Sequence, residues 1–340
     1  MTGRTASRPG LHRALALFLL APLIGEYLLG NTPLTNPLAL FLFAPLYGGG
    51  ALLIREAARR TGRTWPTIIL LAAAYALWEE GPVDMMLFNT HYGGFDLGAA
   101  YAGTYLSGLG TSLQMLQDVL SMHVVWSICV PIALIESFDG VSVPRPWLSR
   151  RAFTLVAAVF VLGSALLCAF QIAGTGFVAS PAELTWSAVV IVALGVGAFH
   201  VGHRPAPEGG PSAPRPHTVA LAAFTVTSLY WARDWLPESV PGWLLCALWV
   251  VGVAGSAAVC AHWARGHNWG PRHRLALAGG ALLTYVWAGF VQGRGVGTPL
   301  PLALTGSALL GAGSLWLLRH AWHNAGEPHR QQVAEMAPGD

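Results

Sequence analysis

The sequence predicts an all-α protein, a polytopic transmembrane helix bundle of about ten spans. Three observations carry this. Hydrophobic residues make up 54% of the 340-residue chain and charged residues only 10%, against about 25% charged in a soluble globular domain. The apolar residues gather into runs of about 20, the length that crosses a bilayer as a helix. Arginines collect in alternate connectors, the pattern of a chain whose short cytoplasmic loops are basic.

The spans are read at 11–29, 37–56, 65–88, 114–136, 152–174, 183–201, 217–235, 241–263, 275–292 and 300–319, with Pro, Gly and charge in the connectors. The first run follows Arg4, Arg8 and Arg13 as a signal peptide would. It lacks a small-x-small cleavage site and is interrupted by Glu26, so it reads as an uncleaved span.

Every basic side chain is arginine. Arg55, Arg59, Arg60 and Arg63 close the second run. Arg145, Arg150 and Arg151 precede the fifth, and Arg204 and Arg215 precede the seventh. Arg265, Arg272 and Arg274 precede the ninth, and Arg319 and Arg330 end the chain. The opposite connectors hold only Arg233 and Arg294. One span more or fewer would scramble this alternation, so both termini are expected in the cytoplasm. Trp65, Trp147, Trp235, Trp243, Trp263 and Trp269 lie near span ends, where an aromatic belt sits.

The organisation follows: a six-span bundle over 1–201, a Pro-rich cytoplasmic linker over 202–216, a four-span bundle over 217–319 and a disordered tail over 320–340. Five plus five spans would allow an inverted repeat, but the halves share no evident sequence similarity. The expected location is the cell membrane, with membrane lipids and an apolar or membrane-embedded substrate as partners. Oligomeric state is not legible. No basic stripe suggests nucleic acid. The four cysteines fall inside apolar runs without a CxxC pair and read as buried thiols. No nucleotide, haem or flavin motif is visible, so no cofactor is expected. With no HExxH and a single His at the relevant depth, no metal is expected either.

Ionisable groups inside spans are costly and mark function by default. Here they sit in the first four runs: Glu26, Glu79, Glu80, Asp84, Asp118, His123 and Glu136. Glu80 falls about 12 Å below the outer end of the third run and Asp84 about 6 Å below it. They share a face at i and i+4, with Glu79 a quarter-turn round. Each ionised acid at mid-membrane costs up to about 2.5–3.5 kcal/mol, so the three must be protonated, paired or wetted. Adjacent carboxylates repel and hold a proton between them, which suits acid–base work. Gly81-Pro82 follows and removes the donor to the carbonyl of Trp78, leaving a polar notch.

In the fourth run His123 lies about 14 Å deep and Asp118 about 6 Å deep. Consecutive antiparallel spans are usually neighbours. Glu79 and Glu80 are therefore expected to face His123, with Ser127 beside it at i+4 and Asp84 and Asp118 above. Asn89 belongs to a Gly-rich, aromatic outer connector. Glu26 is expected at the interface, Glu56 in a surface pair with Arg55 or Arg59, and Glu136 in water.

The run Glu79-Glu80-Gly81-Pro82-Val83-Asp84, with intramembrane His123 followed by Ser127, resembles the CAAX-protease-like (CPBP/ABI) membrane proteins. Those carry EExxxR, FxxxH and HxxxN/D motifs. Asp84 stands where that pattern has arginine, FxxxH and the second histidine are absent, and serine closes the HxxxN/D-like segment. The region also looks like uncharacterised actinobacterial multi-pass proteins. The CPBP resemblance implies an intramembrane hydrolase, with Glu79 or Glu80 as general base on water and His123 stabilising the oxyanion. Glu79, Glu80 and His123 are thus the candidate catalytic residues, and Asp84, Asp118, Ser127 and Asn89 the supporting ones. Whether the chain is an enzyme stays open. A proton-coupled transporter would use the same acids for proton relay. A lipid or isoprenoid enzyme would use one as general acid beside Tyr75, Trp78 and Trp126. A purely structural protein would pair the acids with Arg233 or Arg294.

Overall fold

The computed structural model describes residues 8–138, 145–202, 211–237 and 239–325. Most of the linker expected at 202–216 and most of the tail expected at 320–340 lie outside the described residues, as do Arg4, Arg204 and Arg330.

The described residues are mostly helical, with almost no sheet. α1 runs Arg8–Pro22 and continues through Leu23–Leu28. α2 spans Ala39–Arg60 and α4 spans Leu113–Ser137. α3 runs Trp65–Trp78 and continues through Glu79–Val83. α5 is Arg150–Thr175, α6 Pro181–Ala198, α7 Pro216–Ala232, α8 Gly242–Trp263, α9 Pro271–Gly295 and α10 Leu300–Asn324. Among the described residues, eight of these are long and apolar enough to cross a membrane. The other two are α3, whose last turn holds Glu79 and Glu80, and the 17-residue α7. The connector between α3 and α4 folds into short helical turns and a hairpin pairing Tyr105–Leu106 with Thr111–Ser112.

Local chemistry sets the boundaries. Pro181, Pro216 and Pro271 open α6, α7 and α9, where a missing N–H costs nothing. Ser149 and Ser180 cap α5 and α6 by accepting from Ala152 N and Glu183 N. Gly176 stops α5 at φ 67°.

Alternate connectors converge on one end of the bundle. Arg13 donates to the carbonyl of Phe138 at 3.0 Å, and Arg59 grips Glu136 with two bonds of 2.8 Å. Arg55 and Arg60 donate to the carbonyls of Arg145 and Leu148 before α5. Arg63 reaches the Val201 carbonyl after α6. Ala213, ahead of α7, bonds Asn268, ahead of α9. The rings of Phe138 and His320 meet 6.0 Å apart, which brings the far end of α10 to the same place. The arginine alternation of the sequence is thus an arginine-rich face of the fold.

Two expectations are corrected here. Arg55 and Glu56 are fully buried, not a surface pair. Glu136 is gripped by arginines, not solvated. The carboxylates accept from Arg55, Arg59, Arg60 and the amides of Trp147 and Leu148, and Arg55 stacks 3.2 Å over Trp147.

Lipid offers no hydrophobic drive between spans, so close backbone approach and interhelical hydrogen bonds hold them. α9 shows both. A Cβ on Gly280 would come 2.4 Å from the Ala220 carbonyl of α7. Beside it, Thr284 bonds Thr227 at 2.7 Å and Ser228 at 3.1 Å, and Trp287 donates to Ser228. Ile24, Leu28, Trp126 and Leu134 share one core with Leu275, Leu282 and Tyr285, so α9 packs directly on α1 and α4.

Candidate functional site

Each of the first four helices switches from α to π hydrogen bonding, and the four switches lie at one level. They are Leu23–Leu28, Ala44–Gly48, Glu79–Val83 and Met122–Cys129. A proline lies in or beside each: Pro22 precedes the first, Pro45 and Pro82 lie within the second and third, and Pro131 follows the fourth. Proline cannot donate to the carbonyl four residues back, so the ladder slips to an i→i+5 register. In α3 this is seen directly, where Asp84 N donates to Glu79 O at 2.9 Å. Single π turns inside α-helices recur at functional sites.

The slipped turns aim their side chains at one point. Nε2 of His123 lies 2.7 Å from Glu80 Oε1, and Nδ1 lies 3.0 Å from Glu79 Oε2. The expected meeting of the glutamate pair with His123 is therefore present in the geometry. Ser127 Oγ is 3.2 Å from Nδ1. Tyr47 and Tyr75 flank the imidazole, with ring centroids at 5.9 and 6.1 Å. Tyr47 donates to Glu26 Oε1 at 2.5 Å. Glu26 was expected at the interface, but the π turn of α1 swings it into this cluster.

The site is dry. Glu79 is 3% exposed, and Glu80, His123 and Tyr75 are 4% exposed, too little for bulk water to solvate a charge. Among the described residues, Glu80 Oε2 and the Tyr75 hydroxyl, which lies against Glu79, make no well-directed hydrogen bond. Glu79 Oε2 sits near Nδ1 without a well-directed bond. A fully buried apolar layer of Leu52, Ile68, Ala72, Ile128 and Ile132 separates the cluster from the arginine-rich end.

The helix of α3 ends at Val83, not near Phe88, so Asp84 caps it. Met85 then adopts φ 62°, a region costly for a non-glycine residue. The turn folds Asp84 back. Its carboxyl lies against Glu80 and accepts from Met86 N at 3.0 Å and from the Tyr92 hydroxyl at 3.1 Å. Gln171 donates in turn to Tyr92.

Two expected members stand elsewhere. Asp118 bonds Tyr101 and Tyr230 at 2.9 Å each and pairs with Arg233. That arginine therefore ties α4 to α7 instead of neutralising Glu79 or Glu80. Asn89 accepts from His91 N and lines a hollow of about 600 Å³ with His91, Gly93, Gly94, Thr175 and Phe177. Among the described residues no group of three or more His, Cys, Asp and Glu side chains is arranged to hold a metal.

The arrangement favours proton exchange. A neutral imidazole carries one N–H and an imidazolium two. With a carboxyl on each nitrogen, His123 can pass a proton to either glutamate without changing the net charge of the trio. Glu26, Glu79, Glu80 and Asp84 would carry four negative charges against one imidazolium if fully ionised. Uncompensated buried charge costs several kcal/mol per ion.

A model of an uncharacterized membrane protein family matches residues 15–287, most of the chain and all of the cluster. The match supplies no likeness to CAAX proteases. No curated protein and no solved structure matches.

Proposed function

The chain belongs to an uncharacterized membrane protein family, and from that premise we propose that it is a proton-coupled carrier whose exchanging centre is Glu79, His123 and Glu80. One observation carries the proposal: a single buried imidazole is held between two carboxyls, and among the described residues no arginine is paired with them. A structural ion pair would place a fixed cation there, as Arg233 does at Asp118 and Arg59 at Glu136. Here, among the described residues, the counter-charge is a group that itself titrates. The π turns and Gly81-Pro82 supply broken helices of the kind that line carrier sites. On this reading ten helices span the membrane and the arginine-rich end is cytoplasmic.

A glutamate-type intramembrane hydrolase is the second reading. It is favoured by the same meeting of the glutamate pair with His123, which the CAAX-protease-like pattern implies. It would require water at a glutamate and an imidazole nitrogen free for the oxyanion. In this structure both nitrogens face carboxyls.

The infrared carbonyl stretch of protonated carboxyls tests the proposal. In lipid nanodiscs the band should change with pH in the wild type and lose a component in Glu80→Gln. A pH-independent band, unaltered by Glu79→Gln or Glu80→Gln, would overturn it.

A further inference from the structure

We propose that protons reach the centre from the end of the bundle opposite the arginines, through Tyr92 and Asp84; this rests on the proton-exchange reading above. Polar side chains follow one another in that direction, with Asp84 adjacent to Glu80 rather than hydrogen-bonded to it by a well-directed bond. His123 meets Glu80, Glu80 lies against Asp84, Asp84 accepts from Tyr92, and Tyr92 accepts from Gln171. The residues on either side of Tyr92 in sequence, His91 and Gly93, line the hollow of about 600 Å³. Its walls also include Thr175, whose hydroxyl donates to the Gln171 carbonyl one turn down α5. Toward the arginines the apolar layer of Leu52, Ile68, Ala72, Ile128 and Ile132 intervenes.

The transfer balances at each atom. The Tyr92 hydroxyl gives its proton to Asp84 Oδ2 and takes one on oxygen from a hydronium ion that enters by way of the hollow and leaves as water. Asp84 then passes a proton to Glu80, which exchanges it with His123. Gln171 Nε2 occupies one lone pair of Tyr92 and so directs the O–H toward Asp84, a positioning role. The left-handed Met85 aims the carboxyl, and the amide of Ala179 at 3.3 Å from its sulfur holds it there. The titratable groups facing Asp84 and Glu80 are Glu26, Tyr75, Glu79, Tyr92, His123 and the Cys168 thiol, which donates to the Pro82 carbonyl.

The experiment is a stopped-flow pH jump on the protein in nanodiscs, following the infrared carboxyl band. Tyr92→Phe removes one oxygen and keeps the ring. It should slow relaxation by roughly tenfold or more, the lower end of what a positioned proton-transfer group contributes, while the final amplitude is unchanged. Asp84→Asn should slow it at least as much. Gln171→Leu should slow it less. Unchanged rates in both Tyr92→Phe and Asp84→Asn overturn the route and leave the exchange centre standing. A wild-type band that does not respond to pH removes the centre itself.

Discussion

Arg55→Ala should cost about 3–5 kcal/mol of folding stability, the range for stripping one partner from a buried ion pair. Arg55 is completely buried. It bonds Glu56 at 2.7 Å and lies 3.0 Å from Glu136. It donates to the Arg145 carbonyl and stacks on Trp147. Its loss leaves two carboxylates short of a donor and detaches the segment that leads into α5. Arg55→Lys should recover only part of the loss, because an ammonium lacks the planar fork and the stacking face. Glu136→Gln combined with Arg55→Ala should cost less than the sum of the two, since the groups share one network. Thermal unfolding in nanodiscs measures all three. A loss below about 1 kcal/mol, the level of an exposed pair, would mean that the network is wetted.

Gly48→Ala should be nearly as damaging. Its Cβ would sit 1.9 Å from the Phe18 carbonyl oxygen. That oxygen lies opposite Pro22, which has no N–H to give it, and the Gly48 Cα fills the gap. Overpacking costs about 1–3 kcal/mol where side chains yield. Here backbone meets backbone, so α1 and α2 must separate, taking Glu26 and Tyr47 apart. Gly255→Ala on α8 is the matched control, since nothing lies within 4 Å of its Cβ position. Comparable losses in the two would show that helix propensity, not the crossing, sets the effect.

Much of this was legible from the sequence, for identifiable reasons. Arginines marked every connector at one end because lipid forbids charge elsewhere. Depth counted along two antiparallel runs brought Glu79, Glu80 and His123 together. Helical bookkeeping at 3.6 residues per turn then failed where the helices are not α. It put Asp84 on the Glu80 face of a continuing helix, whereas the chain turns at Met85. It also left Glu26 at the interface. The signal was present in Pro22, Pro45, Pro82 and Pro131, which mark four π turns at one level. Asp118 was beyond reach by this method, because its partner Arg233 is 115 positions away. Glu56 and Glu136 were misjudged because a carboxylate near a basic loop suggests water, and nothing local announces five protein donors.

Carbodiimide labelling of the protein in nanodiscs, mapped by mass spectrometry across pH, tests the exchange centre most directly. Carbodiimides modify carboxyls that are protonated in apolar surroundings. The account predicts strong labelling of Glu79 or Glu80 near neutral pH, with its pH dependence altered by His123→Ala. It predicts little labelling of Glu136, held by arginines. Absence of label at both Glu79 and Glu80 in wild type and His123→Ala alike would contradict it, and the acids would then be fixed ions in a structural core.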